Sequence, residues 1–187
     1  MRTADTRAIV SDKAVLLVLK QASEQIILPR YKRLSDTDIS TKTSATDFVT
    51  VADQEAEADI TPKLLKMLPG SSCIGEESVA EGRCDISELN TDYTWTVDPI
   101  DGTRNFVAGS KHFCCMVSLI KQGQALRSWI YRPLIGDAVV ATRNEGVQHY
   151  LPTGNILACK PRYCEKELPL LQGTLNAMGF ELSIREQ

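Results

Sequence analysis

No stretch of this chain approaches the roughly 20 apolar residues that a membrane-spanning helix needs. The longest early run, Ala14 to Leu19, is closed off by Lys13 and Lys20. The first residues, Met1-Arg2-Thr3-Ala4-Asp5, lack the basic-then-apolar pattern of a secretory leader. A soluble cytoplasmic protein with no membrane partner is therefore expected. An excess of one charge is also missing: 24 acids face 21 bases, a net of −3. That balance leaves no electrostatic footprint for nucleic acid, so none is expected as a partner. Histidines number only two, and the six cysteines (Cys73, Cys84, Cys114, Cys115, Cys159 and Cys164) form no CxxC pair. Zinc-type spacing is thus excluded, and reduced, partly buried thiols are expected. Several nucleophile motifs are absent too. There is no Gly-x-Ser-x-Gly elbow, no phosphate loop ending in Gly-Lys-Ser/Thr, and no cysteine at phosphate-loop spacing before an arginine. Asp36-Thr37-Asp38 follows Lys32-Arg33-Leu34-Ser35 rather than a buried strand, which removes it as a phosphorylated aspartate.

What is present suits one domain or slightly more. The 187 residues are 43% hydrophobic and 24% charged, enough to bury a core. Val15, Leu19, Ala22 and Ile26 recur at helical spacing and predict a helix from about Ser11 to Ile27, ended or kinked by Pro29. The polar stretch from Ser35 to Thr46 reads as a loop. A second helix is expected from Thr46 or Asp47 to Met67, with Ala52, Ala56, Ile60 and Leu64 inward and Glu55, Glu57 and Asp59 on the solvated face. Pro62 predicts a kink in it. Short β-like runs follow at Ser72 to Gly75, Tyr93 to Asp98, Phe113 to Lys121, Ala125 to Arg132, Ala138 to Thr142 and Val147 to Leu151. Their short connections favour antiparallel pairing. The expected fold class is α+β, a layered sandwich with two N-terminal helices packed on a mainly antiparallel sheet. Residues 1–160 form this domain. Residues 161–187 start a further region and stop without a clean closing element.

The chemistry concentrates between Cys73 and Phe106. Gly75-Glu76-Glu77-Ser78 and Asp98-Pro99-Ile100-Asp101-Gly102-Thr103 each follow a short apolar strand, so each places carboxylates at a strand end. Tyr93, Trp95 and Val97 share one face, and Thr94, Thr96 and Asp98 the other. Pro99 is expected to end ladder pairing. Asp101 can converge with Asp98, and Gly102 permits unusual dihedrals. Thr103 to Phe106 can open a short helix. Such a constellation suits Mg²⁺, which takes oxygen ligands from a few carboxylates together with phosphate oxygens. Two such ions can activate water and stabilise a leaving oxygen.

The ordered segments Asp47-Phe48-Val49-Thr50-Val51-Ala52-Asp53, Ile74-Gly75-Glu76-Glu77-Ser78 and Trp95 through Phe106 resemble the inositol monophosphatase family. The likeness runs from about Lys42 to Leu157. It implies Mg²⁺-dependent hydrolysis of a small phosphomonoester such as inositol monophosphate by activated water, with direct in-line attack. It also implies sensitivity to lithium and a possible homodimer. Glu76, Asp98, the Ile100 carbonyl and Asp101 match metal ligands of that family, for two or three ions. Gly102 and Thr103 match the residues whose N–H groups hold phosphate. Glu76, Thr103 and Asp53 match the residues that position the attacking water, with Asp53 orienting Thr103. Lys42 matches a loop lysine near the site in some members. Histidinol phosphate, a sugar bisphosphate or a 3′-phosphonucleotide is an alternative substrate, because those groups share the Asp-Pro-x-Asp-Gly core. A weakened or inactive remnant that binds metal and phosphate is another reading.

The sequence departs from the family in one serious respect. A later Trp-Asp motif, which completes the second metal site, is absent, since neither Trp95 nor Trp129 precedes an aspartate. The second metal site is therefore expected to be incomplete, and the second α/β half largely missing. Trp129 is bulky for its strand and is expected to repack a sheet face. His149 is expected to be structural.

Overall fold

The computed structural model describes residues 9–42, 48–84 and 92–159. Asp47, Cys164 and the expected region 161–187 lie outside the described residues. Helix α1, Asp12–Ala22, buries Val15, Val18, Leu19 and Ala22, with Asp12 in its first turn and Lys20 in its last, each favourable to the helix dipole. The chain does not stop before Pro29. It continues through a π-helical turn, Ser23–Ile27, into a short helix α2, Leu28–Arg30. Pro29 follows directly on the π-helical turn, where the Leu28 N–H reaches the Ser23 carbonyl, and the proline itself donates no bond to the preceding turn.

The stretch expected as a loop contains a short strand, β1 (Ile39–Thr41), which pairs antiparallel with β2 (Phe48–Thr50), a strand that stands where the second helix was expected to begin. The β-branched Ile39, Thr41, Val49 and Thr50 and the aromatic Phe48 favour that pairing. β2 also delays the second helix, so α3 spans Val51–Met67 with Thr50 as its N-cap. The Thr50 side chain accepts from the Ala52 N–H, and the Asp53 carboxylate takes the Thr50 N–H at 2.9 Å, which makes a capping box. α3 runs through Pro62 and buries Ala52, Ala56, Ile60 and Leu64 as the stripe requires.

Among the described residues seven strands form the main sheet: β3 (Ser72–Gly75), β4 (Thr94–Asp101), β5 (Cys114–Lys121), β6 (Gln124–Arg132), β7 (Asp137–Thr142), β8 (Gly146–Tyr150) and β9 (Ile156–Cys159). Their spatial order is their chain order. All neighbours from β4 to β9 are antiparallel, but β3 pairs parallel to β4. Residues 76–93 are long enough for the crossover that a parallel pair demands. The short helix α4, Glu76–Ala80, begins that crossover. Another short helix, α5 (Thr103–Val107), follows β4.

One face of the sheet packs on α1 and α3. Trp95, Val97, Cys115, Val117, Leu119, Trp129 and Val140 are buried there with Leu19, Ile60 and Leu64. Trp129 packs into this face: its ring lies 5.8 Å from that of Trp95, and its indole N–H donates to Asp12 Oδ1 at 2.8 Å. The Tyr150 hydroxyl (2.7 Å) and the Arg127 guanidinium reach the same carboxylate. Alternation sends Thr96, Met116, Ser118, Ser128 and Ile130 to the opposite face, where they border a cleft of about 590 Å³. No helix among the described residues is long and apolar enough to cross a membrane.

Candidate active site

The parallel pair β3–β4 sets the site. Gly75 lies opposite Val97, so Glu76 and Asp98 leave the same sheet edge side by side. Asp98 Oδ1 is buried and has no hydrogen-bond partner among the described residues. Burial, then the charge of Glu76 and a side-chain hydrogen bond with it, then the charges of Asp101 and Asp53, push the Asp98 carboxyl well above the usual carboxylate range. A buried oxygen without a donor, facing other carboxylates, is an arrangement that a hard divalent cation would relieve. The donor set thus fits Mg²⁺. Among the described residues no three Asp, Glu, His or Cys side chains already close into a cation-ready group. Glu76 Oε1 instead takes the Lys42 ammonium at 2.6 Å, and Asp101 faces the Cys114 thiol at 3.6 Å.

Lys42 reaches Glu77 as well, at 2.9 Å. Burial pulls the lysine's pKa down, but its two glutamate partners outweigh burial and raise it. Burial pushes the Glu77 carboxyl up to about 7 against the pull of Lys42.

Pro99 does not end the ladder. β4 continues to Asp101 across an irregularity between Asp98 and Asp101, which pair with Met116 and Cys114. Proline is tolerated at such a bulge, where no ladder N–H is needed. Gly102 then turns the chain at φ +87°, and a Cβ there would stand 3.0 Å from the His112 carbonyl oxygen. This places Thr103 at the start of α5, as the sequence predicts. Its hydroxyl lies 3.1 Å from Asp53 Oδ1 and 3.0 Å from the Ile100 carbonyl. Asp53 is nearly fully buried, and burial raises its pKa against hydrogen bonds from Thr50 and Thr103.

Asp53, Ile100 and Thr103 are therefore joined directly, Glu76 and Asp98 are neighbours, and Asp101 stands at the exposed end of β4. One assignment needs correction. Glu57 is not on a solvated face: it is buried, and it accepts from the Glu77 N–H at 2.7 Å and the Ser78 N–H at 3.0 Å. The available signal was its place one helical turn past Asp53, on the same side of α3. His149 is structural as expected, with Nε2 2.6 Å from Asp137 Oδ2. The described cysteines are free thiols.

Comparison with known proteins bears on this arrangement. The sequence model of the inositol monophosphatase family matches residues 12–174. The Nus factor SuhB of Haemophilus influenzae is 32% identical over 123 residues, which is 66% of this chain and 44% of that protein. An inositol-1-monophosphatase of Rhizobium meliloti is 34% identical over 100 residues, 54% of this chain and 36% of that one. The solved structure of a staphylococcal IMPase-I complexed with products superposes with a TM-score of 0.60 at 25% identity, covering 78% of this chain and 51% of that one. The chain thus spans less than half the length of the curated relatives it matches.

Proposed function

The chain belongs to the inositol monophosphatase family, and on that premise we propose that it carries the Mg²⁺ and phosphate half of a phosphomonoesterase. Residues 1–160 would be the metal- and phosphate-binding domain, and residues 161–187 the start of a second half. The observation that carries this reading is the orphaned, buried oxygen of Asp98 beside Glu76 at the shared end of β3 and β4.

Glu76, Asp98, Asp101 and the Ile100 carbonyl would hold Mg²⁺. The Ile100 oxygen has a second lone pair beyond the one it offers Thr103. Bound Mg²⁺ would supply charge neutralisation and a more acidic water. The chain's own residues do the rest. Asp53 accepts a hydrogen bond from the Thr103 hydroxyl, which leaves the threonine oxygen's lone pairs free to accept from a water and so aim it. The backbone N–H groups of Gly102 and Thr103 would hold phosphate oxygens in line with that water. The water's oxygen attacks phosphorus directly, the ester oxygen leaves with a proton, and no covalent phosphoenzyme forms.

The substrate would be a small phosphomonoester. Inositol 1-phosphate is favoured because a relative of 34% identity bears the name inositol-1-monophosphatase. The test is phosphate release from a panel headed by inositol 1-phosphate and histidinol phosphate, with Mg²⁺ titrated from zero and Asp98→Asn alongside. Turnover that needs Mg²⁺ and is lost in the variant supports the reading. Absence of turnover at every Mg²⁺ concentration, with phosphate still bound, would make this chain a binding remnant. Recovery of a phosphorylated protein under turnover would overturn the direct attack.

A further inference from the structure

Glu57 has no part in the chemistry above, yet it is 4% exposed and carries a carboxylate. Burying that group is costly unless donors meet it. Three do. The Glu77 N–H reaches Oε2 at 2.7 Å, the Ser78 N–H reaches Oε1 at 3.0 Å, and the Ser78 hydroxyl closes on the same Oε1. All three donors belong to the two residues directly after Glu76. On the other side of Glu76 stands Gly75, where a Cβ would lie 2.0 Å from the Glu57 carboxyl carbon. Gly75 has an ordinary extended backbone, φ −99° and ψ 149°, so what its position requires is space. The carboxylate therefore grips the chain on both sides of one residue, by contact at 75 and by hydrogen bonds at 77 and 78.

We propose that Glu57 is a positioning residue for divalent-cation binding. It fixes the backbone around Glu76 so that this side chain leaves β3 beside Asp98. Asp53 sits one turn earlier on α3 and holds Thr103, so a single helix braces both sides of the site. Glu57 touches neither cation nor substrate. The proposal rests on the cation site of the reading above but not on turnover. Outer residues that orient a ligand typically change metal affinity about 10- to 100-fold when lost.

The test is Mn²⁺ binding to the full 187-residue chain, read by electron paramagnetic resonance, for wild type, Glu57→Gln and Ser78→Ala. Glutamine keeps the shape but turns an N–H₂ toward one of the backbone donors. The Mn²⁺ Kd should weaken about tenfold in Glu57→Gln, and in the same direction but less in Ser78→Ala. The Mg²⁺ concentration for half-maximal phosphate release should rise in parallel, while KM for the phosphomonoester at saturating Mg²⁺ stays unchanged. Equal Mn²⁺ affinity in all three proteins, with only a lowered Tm in the variants, would overturn the proposal. Should Glu57→Gln fail to fold, Ser78→Ala decides the matter alone. Wild type that binds Mn²⁺ without hydrolysing any ester would overturn the phosphatase reading, and the Mn²⁺ comparison would still decide Glu57. Wild type that binds no Mn²⁺ would overturn both.

Discussion

Thr103 has one hydroxyl proton and two acceptors within reach, Asp53 Oδ1 and the Ile100 carbonyl. A side chain in that position can spare a lone pair for a third partner, but only while the hydroxyl exists. Thr103→Val should therefore lower kcat by about 10²-fold, in the range for lost proton-handling groups. Thr103→Ser should keep most of the rate. Steady-state phosphate release at saturating Mg²⁺ would measure both. Gly102 next to it carries a different constraint. Gly102→Ala would force a Cβ to φ +87° and to within 3.0 Å of the His112 oxygen, and should cost about 1–3 kcal/mol in urea denaturation. At this scale the sequence was only partly legible. The strand-end carboxylates and the turn glycine could be read from spacing, but the Asp53–Thr103 pair came only with the family resemblance, because the two residues are far apart in the chain. Glu57 was misread because a glutamate on a helix defaults to solvent, and its three donors lie on another element.

At the scale of elements, α1 is fastened to the sheet by one carboxylate. Asp12 takes the Trp129 indole N–H and the Tyr150 hydroxyl, and pairs with Arg127, whose side chain is 2% exposed. Asp12→Ala would strand a buried guanidinium, so a loss of about 3–5 kcal/mol is expected in guanidinium denaturation. A second fastening joins β6, β7 and β8. Asp137 is held below the usual carboxylate range by its hydrogen bonds from Arg132 and, after the opposing effect of burial, from His149. A depressed carboxylate stabilises the fold fully above its unfolded value of 3.8, and the contribution is lost as pH falls through the lower folded value. Urea midpoints of wild type should therefore drop more steeply below pH about 4 than those of Asp137→Asn. α1, α3 and the antiparallel strands β4 to β8 were legible because their periodicities are clean. The short elements β1, β2, α4 and β9 and the direction of β3 were not. Three-residue strands carry too little pattern, and a strand's direction depends on a crossover whose path the sequence does not display.

The whole molecule keeps a set of like charges partly out of water. Asp98 is one of them, its carboxyl pushed up by burial and by its carboxylate neighbours. Asp98→Asn should thus melt above wild type when EDTA is present, and should lose the upward Tm shift that Mg²⁺ gives wild type. That shift corresponds to about 2.7 kcal/mol at a Mg²⁺ concentration 100 times Kd. Differential scanning fluorimetry with and without Mg²⁺ reads both effects. The layered α+β architecture was legible in outline from two helical patterns followed by a run of strands. The open sheet face bearing Met116 and Ile130 was not, because alternation tells which residues share a face but not whether anything lies over it.

The order of the strands also has a consequence in time. From β5 to β9 each strand pairs with its successor across a short turn, and β4 joins β5 through the segment that carries α5, so this meander can zip largely locally, strand upon strand. β3 meets β4 only after residues 76–93 have looped round, and that closure is entropically dearer than any turn in the meander. Folding should therefore raise the platform first and bring Glu76 to Asp98 last. The polypeptide meets most of its cost in chain entropy before the electrostatic repulsion of the site is assembled.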